Sequence, residues 1–479
     1  MAEGRAHWKS RAGFVLAAAG SAVGLGNIWK FPYITGMNGG GWFVLIYLLC
    51  ILLVGLPIMM AEIFIGRTAQ KSPVGAFRTL SAPASPWMGV GWLGVLTAFV
   101  ILSYYSVVAG WAMHYVWLSA TNAFDGKSAE EISDVFGSLY GNRDLNLLWH
   151  VLFMVLTIAI VIAGVQKGVE RWSRILMPLL LFMLFLLFLR ALTLPGFGKA
   201  LDFVFGFHKD ELTPAGVLEA LGHAFFTMSL GMGAMITYGS YLQRDDDLVS
   251  TSVLVGVADT VIALLACMVL FPITFSYGME PGGGPGLVFQ NIPVALSQVP
   301  LGQLWSVLFF VLITFAALTS AISLLEVAVS YFIDERGWSR PQATLVTGLT
   351  IMVLGIPSAL SGGTALFGKD FAGVTEYVFG AENGKNWFDL FDYLASNWML
   401  PLGGLGIALF VAWRVGGEAR EAGFRTGTKF GKLYFGWVFL LRFLVPIGVI
   451  AVFLNATGFL DRLIDALAPL IESSSGTGK

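Results

Sequence analysis

Residues 19–27 read AGSAVGLGN, and residues 226–233 read FTMSLGMG. Each stretch interrupts the middle of an apolar run with a Gly-x-Gly flanked by hydroxyl or amide side chains. A helix that breaks inside hydrocarbon leaves backbone N–H and C=O groups unpaired, at several kcal/mol each. Such a break persists only where a ligand, an ion or a polar cavity takes up those groups. Small residues can also serve close helix packing. The two stretches, however, lie about five spans apart, and an odd number of spans inverts the topology of a repeat. Paired glycine-interrupted spans in corresponding halves point to the binding site of an inverted-repeat transporter.

The composition agrees with a membrane setting. Of 479 residues, 56% are hydrophobic and 12% charged, and mean hydropathy is +0.77. A soluble surface needs about twice that share of charge. The apolar content excludes disorder. A net charge of -2 offers no basic field, so no nucleic-acid partner is expected. Cys50 and Cys267 both sit in apolar runs, with neither a disulfide framework nor metal spacing.

A hydrocarbon core needs about 20 apolar residues per helix. Eleven runs qualify, at roughly 11–36, 41–65, 88–120, 147–165, 172–195, 217–242, 248–277, 301–333, 340–361, 388–413 and 433–457. The first and sixth are weak as uniform spans. The expectation is an all-α polytopic membrane protein forming one transmembrane domain over 1–479. Repeat one covers about 11–195, repeat two about 217–413, and an accessory helix about 433–457. With the N-terminus inside, 17 of the 28 Lys and Arg residues fall on the cytoplasmic side and nine outside. That bias favours a cytoplasmic N-terminus, and eleven spans then put the C-terminus outside. No cleavable signal peptide is read at the start.

The stretch GSAVGLGNIWKFPYI at 20–34 resembles the first span of the neurotransmitter:sodium symporter family. FFTMSLGMG at 225–233 and FAALTS at 315–320 resemble its sixth and eighth. The likeness runs from Arg5 and Trp8 to about residue 450. It implies the leucine-transporter fold, with two inverted five-helix repeats and one accessory helix, in the manner of a bacterial subgroup carrying hydrophobic amino acids. The implied activity is sodium-coupled symport of neutral hydrophobic or aromatic L-amino acids. The implied location is the inner (plasma) membrane, with the lipid bilayer as surroundings and no obligatory protein partner.

The resemblance also implies site residues. A first sodium site would use Ala22, Asn27, Thr227 and Asp259. A second would use the carbonyls of Gly20, Val23 and Ala316 with the hydroxyls of Thr319 and Ser320. Read without the family, Thr and Ser in a membrane helix commonly bond back to their own helix. Asp259 costs about 2.5–3.5 kcal/mol at mid-membrane, so a compensating partner is expected. Chloride-dependent relatives carry a serine where this chain has Ala263, so chloride independence is expected. The substrate's amino group would meet carbonyls of Ala22, Phe226 and Thr227 and the Ser229 hydroxyl. Its carboxylate would meet the Leu25 and Gly26 N–H groups and Tyr105. Its side chain would lie among Ser21, Ile101, Phe226, Met232, Ser320 and Leu324. Monoamine relatives have an Asp where this chain has Gly24, which favours a zwitterion here.

Gates are implied too. Arg5 and Asp334, beside Trp8 and Tyr241, match the cytoplasmic gate, and Tyr105 with Phe226 the lid. At the outer gate Asp392 matches, but Lys30 replaces the usual Arg and His223 the usual Gln. Lys lacks the bidentate fork, and His titrates near neutrality. Gly168 and Pro178 match a spacing that accompanies local unwinding of the fifth span. Glu62, Glu326 and Arg442 are further intramembrane charges with structural pairing expected. As for enzymes, the sequence has no G-x-S-x-G and no H-E-x-x-H. A channel or a non-transporting sensor stays open as a rival on the residues alone.

Overall fold

The computed structural model describes residues 6–82, 84–207, 213–280, 286–379, 384–456 and 458–459, and all statements below concern these. They are helical apart from turns, loops and one isolated bridge between Gly40 and Phe207. In chain order the principal helices are α1 (Arg11–Ala22), α2 (Gly26–Met37), α3 (Gly41–Ala69), α4 (Met88–Ala120), α5 (Arg143–Ile162) and α6 (Val165–Ala191). There follow α7 (Pro214–Thr227) and α8 (Ala234–Gly239). The last are α9 (Leu248–Ser276), α10 (Gly302–Arg336), α11 (Arg340–Leu360), α12 (Trp387–Arg414) and α13 (Gly431–Asn455).

Among the described residues, nine helices are long and apolar enough to cross a membrane, or ten if the bent pair α1–α2 counts as one span. The sixth of the eleven expected spans takes the form of two short pieces, α7 and α8, each below spanning length. Hydropathy averages across a break that the backbone does not bridge.

Local chemistry explains both breaks. Ser10 caps α1 by accepting from the Gly13 N–H at 3.0 Å. The helix stops at Val23, which is extended (φ -70, ψ 108), and α2 resumes at an angle of 55°. Thr213 caps α7 with Pro214 at its first position. That helix ends at Thr227, and Ser229, Gly231 and Gly233 then all take positive φ, at 54, 81 and 75 degrees. A side chain at Gly231 would also collide with the Leu400 carbonyl of α12, so glycine meets two needs there. Ser229 is no glycine and costs about 1–2 kcal/mol in this conformation. Its hydroxyl donates to the Ser21 carbonyl at 2.8 Å, which offsets part of that cost.

The breaks face each other inside the bundle. α1 packs against α6, α9 and α10, and α10 runs along α4. α8 packs on α3, while α11 covers α4 and α5. Large apolar side chains are exposed on the outer faces, as with Leu52 of α3, Phe182 of α6 and Phe439 of α13. Such faces suit lipid, where exposed leucine carries no hydrophobic cost.

Candidate functional site

A small cavity of about 30 Å³ lies where the two breaks meet. Ser21, Ala22, Leu25, Gly26, Ile101, Tyr105, Phe226, Thr227, Ser229, Met232, Ser320 and Leu324 line it, with Gly24. Thus all twelve residues named from sequence for a substrate pocket share one space. Its walls mix apolar side chains with helix ends. The α1 and α7 C-termini bring carbonyl groups and the start of α2 brings N–H groups, which suit opposite charges. The Leu25 N–H faces the Tyr105 hydroxyl at 3.3 Å. At Gly24, an added Cβ would lie 2.8 Å from Ser320 Oγ and 3.0 Å from the Tyr105 hydroxyl, so a larger residue does not fit as the site stands.

A second cavity, of about 330 Å³, is lined by Lys30, Glu219, Asp389 and Asp392 among others. The two cavities share Leu25, Gly26, Tyr105 and Phe226 as their partition. Lys30 Nζ lies 5.6 Å from the Phe226 ring centre. Lys30 and Asp392 face the same cavity, but among the described residues no ion pair joins them. Asp392 accepts from Ser396 at 3.3 Å. His223 is buried, stacked on Phe31 at 5.6 Å, with no hydrogen-bond partner on either ring nitrogen.

Asp259 is fully buried on α9. Its carboxylate accepts from Asn27 Nδ2 at 2.7 Å, from the Thr227 hydroxyl at 3.0 Å and from the Tyr47 hydroxyl at 3.4 Å. Asn27, Thr227 and Asp259 therefore converge, while Asn27 Oδ1 accepts from the Gly24 N–H. Ala22 lines the adjoining cavity with Thr227. Tyr47 was not singled out in the sequence. The signal available was a hydroxyl within the apolar run 41–65.

The second oxygen cluster is equally compact. Ser320 Oγ lies 3.4 Å from the Gly20 carbonyl oxygen and 3.3 Å from that of Val23, and Thr319 Oγ1 lies 3.0 Å from that of Ala316. A hard cation with oxygens at about 2.3–2.6 Å spaces neighbouring ligands by about 3.3–3.6 Å. The Ser320 hydroxyl thus reaches two carbonyls of the first break at such a spacing, whereas the Thr319 hydroxyl bonds back onto its own helix.

The opposite side of the cavity is tightly closed. The Trp8 indole donates to the Tyr238 carbonyl at 2.9 Å and its ring packs on Tyr241. The Tyr241 hydroxyl donates to Glu326 at 2.6 Å, and Arg340 grips the same carboxylate with both terminal nitrogens. Asp334 accepts from the Ser72 N–H. Arg5 lies outside the described residues. Gly168 sits in a π-helical turn, Val165–Glu170, that opens α6, and Pro178 lies inside that helix. Of the other intramembrane charges, Glu62 accepts from the Gly231 N–H at 2.7 Å and faces the N–H groups of Met235 and Ile236. Arg442 donates to the Ala412 carbonyl and lies over the Trp413 ring.

Comparison with known proteins agrees with this geometry. The model of the sodium:neurotransmitter symporter family matches residues 5–133 and 138–459. An uncharacterized sodium-dependent transporter of Bacillus subtilis, YhdH, is 40% identical, covering 95% of this chain and 98% of its own. A sodium-dependent dopamine transporter of Caenorhabditis elegans is 26% identical over 75% of this chain and 69% of its own. The crystal structure of MhsT in complex with L-phenylalanine superposes with a TM-score of 0.84 at 46% identity, covering 95% of this chain and all of that one. The fold is therefore the one seen in MhsT, and the chain belongs to the sodium:neurotransmitter symporter family, a family of sodium-dependent membrane transporters rather than enzymes.

Proposed function

We propose that this transporter imports neutral hydrophobic or aromatic L-amino acids with two sodium ions per substrate, independently of chloride, across the inner (plasma) membrane. The observation that carries the reading is the cavity at the paired breaks, apolar along its walls and bare of counter-charge at Gly24. A primary amine would leave its cation unpaired there, whereas a zwitterion brings its own carboxylate. MhsT, solved with L-phenylalanine, supports the same substrate class.

In this reading Asn27, Thr227, Asp259 and the Ala22 carbonyl hold one sodium, next to the substrate carboxylate. The carbonyls of Gly20, Val23 and Ala316, with Thr319 and Ser320, hold the other. Asp259 supplies the fixed negative charge that chloride provides elsewhere. Leu25, Gly26 and Tyr105 take the substrate carboxylate, and Ser229 with carbonyls of Ala22, Phe226 and Thr227 takes its amino group. Tyr105 and Phe226 close first. Lys30, His223 and Asp392 form the outer gate. Arg5, Trp8, Tyr241 and Asp334 form the inner one, with the N-terminus cytoplasmic and the C-terminus outside. The helices of the two breaks then rock against the remaining scaffold, and unwinding between Gly168 and Pro178 wets the second sodium site. Two ions crossing 100 mV down a tenfold gradient supply roughly 7 kcal/mol, or about five decades of accumulation.

Uptake into proteoliposomes tests this, with sodium and then choline, and with a panel of amino-acid competitors. Sodium-insensitive uptake would overturn the coupling. Collapse on replacing chloride by gluconate would overturn chloride independence. Ligand binding without flux would favour a sensor.

A further inference from the structure

We infer that Ser323, which lies outside the substrate cavity, sets the Ser21 hydroxyl as a hydrogen-bond acceptor toward that cavity, so that the transporter favours aromatic amino acids whose side chain carries a donor. The inference rests on the amino-acid reading above. Ser21 is buried and lines the cavity. Its hydroxyl donates to Ser323 Oγ at 2.7 Å, and the Ser323 hydroxyl donates to the Ser320 carbonyl at 2.8 Å.

Direction follows from where the Ser323 proton goes. In the structure it is donated to the Ser320 carbonyl, and Ser323 Oγ accepts from Ser21, which spends the Ser21 proton as well. A hydroxyl has one proton and two lone pairs. What Ser21 Oγ offers the cavity is therefore acceptor capacity, and no described residue donates to it. The nearby Ile101, Met232 and Leu324 offer no competing polar group. An indole N–H or a phenolic O–H finds a partner there. A plain phenyl ring is tolerated, because an acceptor short of one bond costs less than an orphaned donor. A side chain that only accepts gains nothing.

Matched pairs of probes read this out. L-tryptophan is compared with 3-(3-benzothienyl)-L-alanine, which replaces the N–H by sulfur at nearly the same shape. L-tyrosine is compared with 4-fluoro-L-phenylalanine. Half-inhibition of sodium-driven uptake is measured for all four in the wild type, Ser323→Ala and Ser323→Thr. The donor partner of at least one pair should bind about three- to tenfold better in the wild type, the worth of one neutral hydrogen bond. The ratio should fall to near one in Ser323→Ala and persist in Ser323→Thr, which keeps the hydroxyl. A merely structural role would weaken both members of a pair alike and leave the ratio unchanged. Wild-type ratios near one for both pairs overturn the inference without need of any variant, and a ratio that survives Ser323→Ala overturns the part given to Ser323. If no amino acid of any kind competes, the substrate reading itself fails, which is a separate result.

Discussion

Glu62 should hold the second break in shape, and its replacement by glutamine tests that. The side chain is fully buried on α3, accepts from the Gly231 N–H at 2.7 Å, and faces the N–H groups of Met235 and Ile236 at the start of α8. It thus holds the backbone of the break from another helix, and its second oxygen, Oε2, has no hydrogen-bond partner among the described residues. A hydrogen bond to a charged group is worth about 1.5–3 kcal/mol, and a charge at a partly buried helix N-terminus up to about 2 kcal/mol. Glu62→Gln keeps the volume, and the amide can leave its oxygen on the Gly231 N–H with its NH2 at the Oε2 position, so what is lost is the charge on that bond and beside α8. The loss is about 1–3 kcal/mol. Because the break is part of the binding site, most of that loss should fall on ligand affinity. Each 1.4 kcal/mol is tenfold, so L-phenylalanine affinity at saturating sodium should drop by about 5- to 150-fold. Global stability should move little, since in a chain this long each kcal/mol shifts Tm by only about 1 °C. Equilibrium binding and thermal unfolding in detergent measure the two. Binding within threefold of wild type would refute the reasoning. A collapse of Tm with no folded protein would move Glu62 from site to scaffold.

Three further outcomes follow from the geometry. Asp259→Asn removes a unit charge, worth about 4 kcal/mol to a cation 4 Å away at an effective dielectric of 20. The sodium concentration for half-maximal uptake should rise at least tenfold, and an unchanged sodium curve would exclude Asp259 as a ligand. Gly24→Asp places a side chain where Ser320 Oγ and the Tyr105 hydroxyl already stand at 2.8 and 3.0 Å, and adds charge beside the proposed substrate carboxylate. Uptake of neutral amino acids should fall at least a hundredfold, with reconstituted protein still folded by gel filtration. Gly168→Ala sets a methyl against the Ile160 carbonyl. Turnover should slow while equilibrium binding of sodium and substrate stays within about threefold, and a parallel loss of binding would argue against a hinge.

The two breaks were legible because their signal is local. Glycines with hydroxyl or amide neighbours inside an apolar run announce a helix that cannot continue, and family motifs then assigned numbers to the lining. Twelve residues from α1, α2, α4, α7, α10 and the α7–α8 break meet in one cavity, although they span positions 21 to 324. What stayed illegible was the support around them. Glu62 reaches a backbone N–H 169 positions away, and Glu326 draws its partners Tyr241 and Arg340 from two other elements. Such pairings depend on which helices pack, and hydropathy carries no record of that. Ser323 had a faint signal, since it sits three residues after Ser320 and so shares its helix face. The sixth span was legible as weak, but its division into α7 and α8 required backbone angles.

Where the backbone groups of the breaks go shows why the site suits cations. A backbone N–H can be spent once, whereas a carbonyl oxygen has two lone pairs. In the first break the N–H groups of Val23, Gly24 and Leu25 are taken by Ala19, Asn27 and Tyr105. In the second, those of Met228, Ser229, Leu230 and Gly231 are taken by Ala224, Phe226, Phe225 and Glu62. These seven donors have protein partners, and the Leu25 N–H, held by the Tyr105 hydroxyl at 3.3 Å, is the one that the proposed substrate carboxylate would take over. The carbonyls are held more loosely. Those of Val23 and Gly20 accept long bonds from the Ser320 hydroxyl, at 3.3 and 3.4 Å, and that of Ala316 accepts from Thr319 at 3.0 Å. A break built this way keeps these N–H groups on protein partners and leaves carbonyl oxygens as its less committed groups, a division of backbone hydrogen bonds that suits a cation better than an anion before any charged side chain is counted.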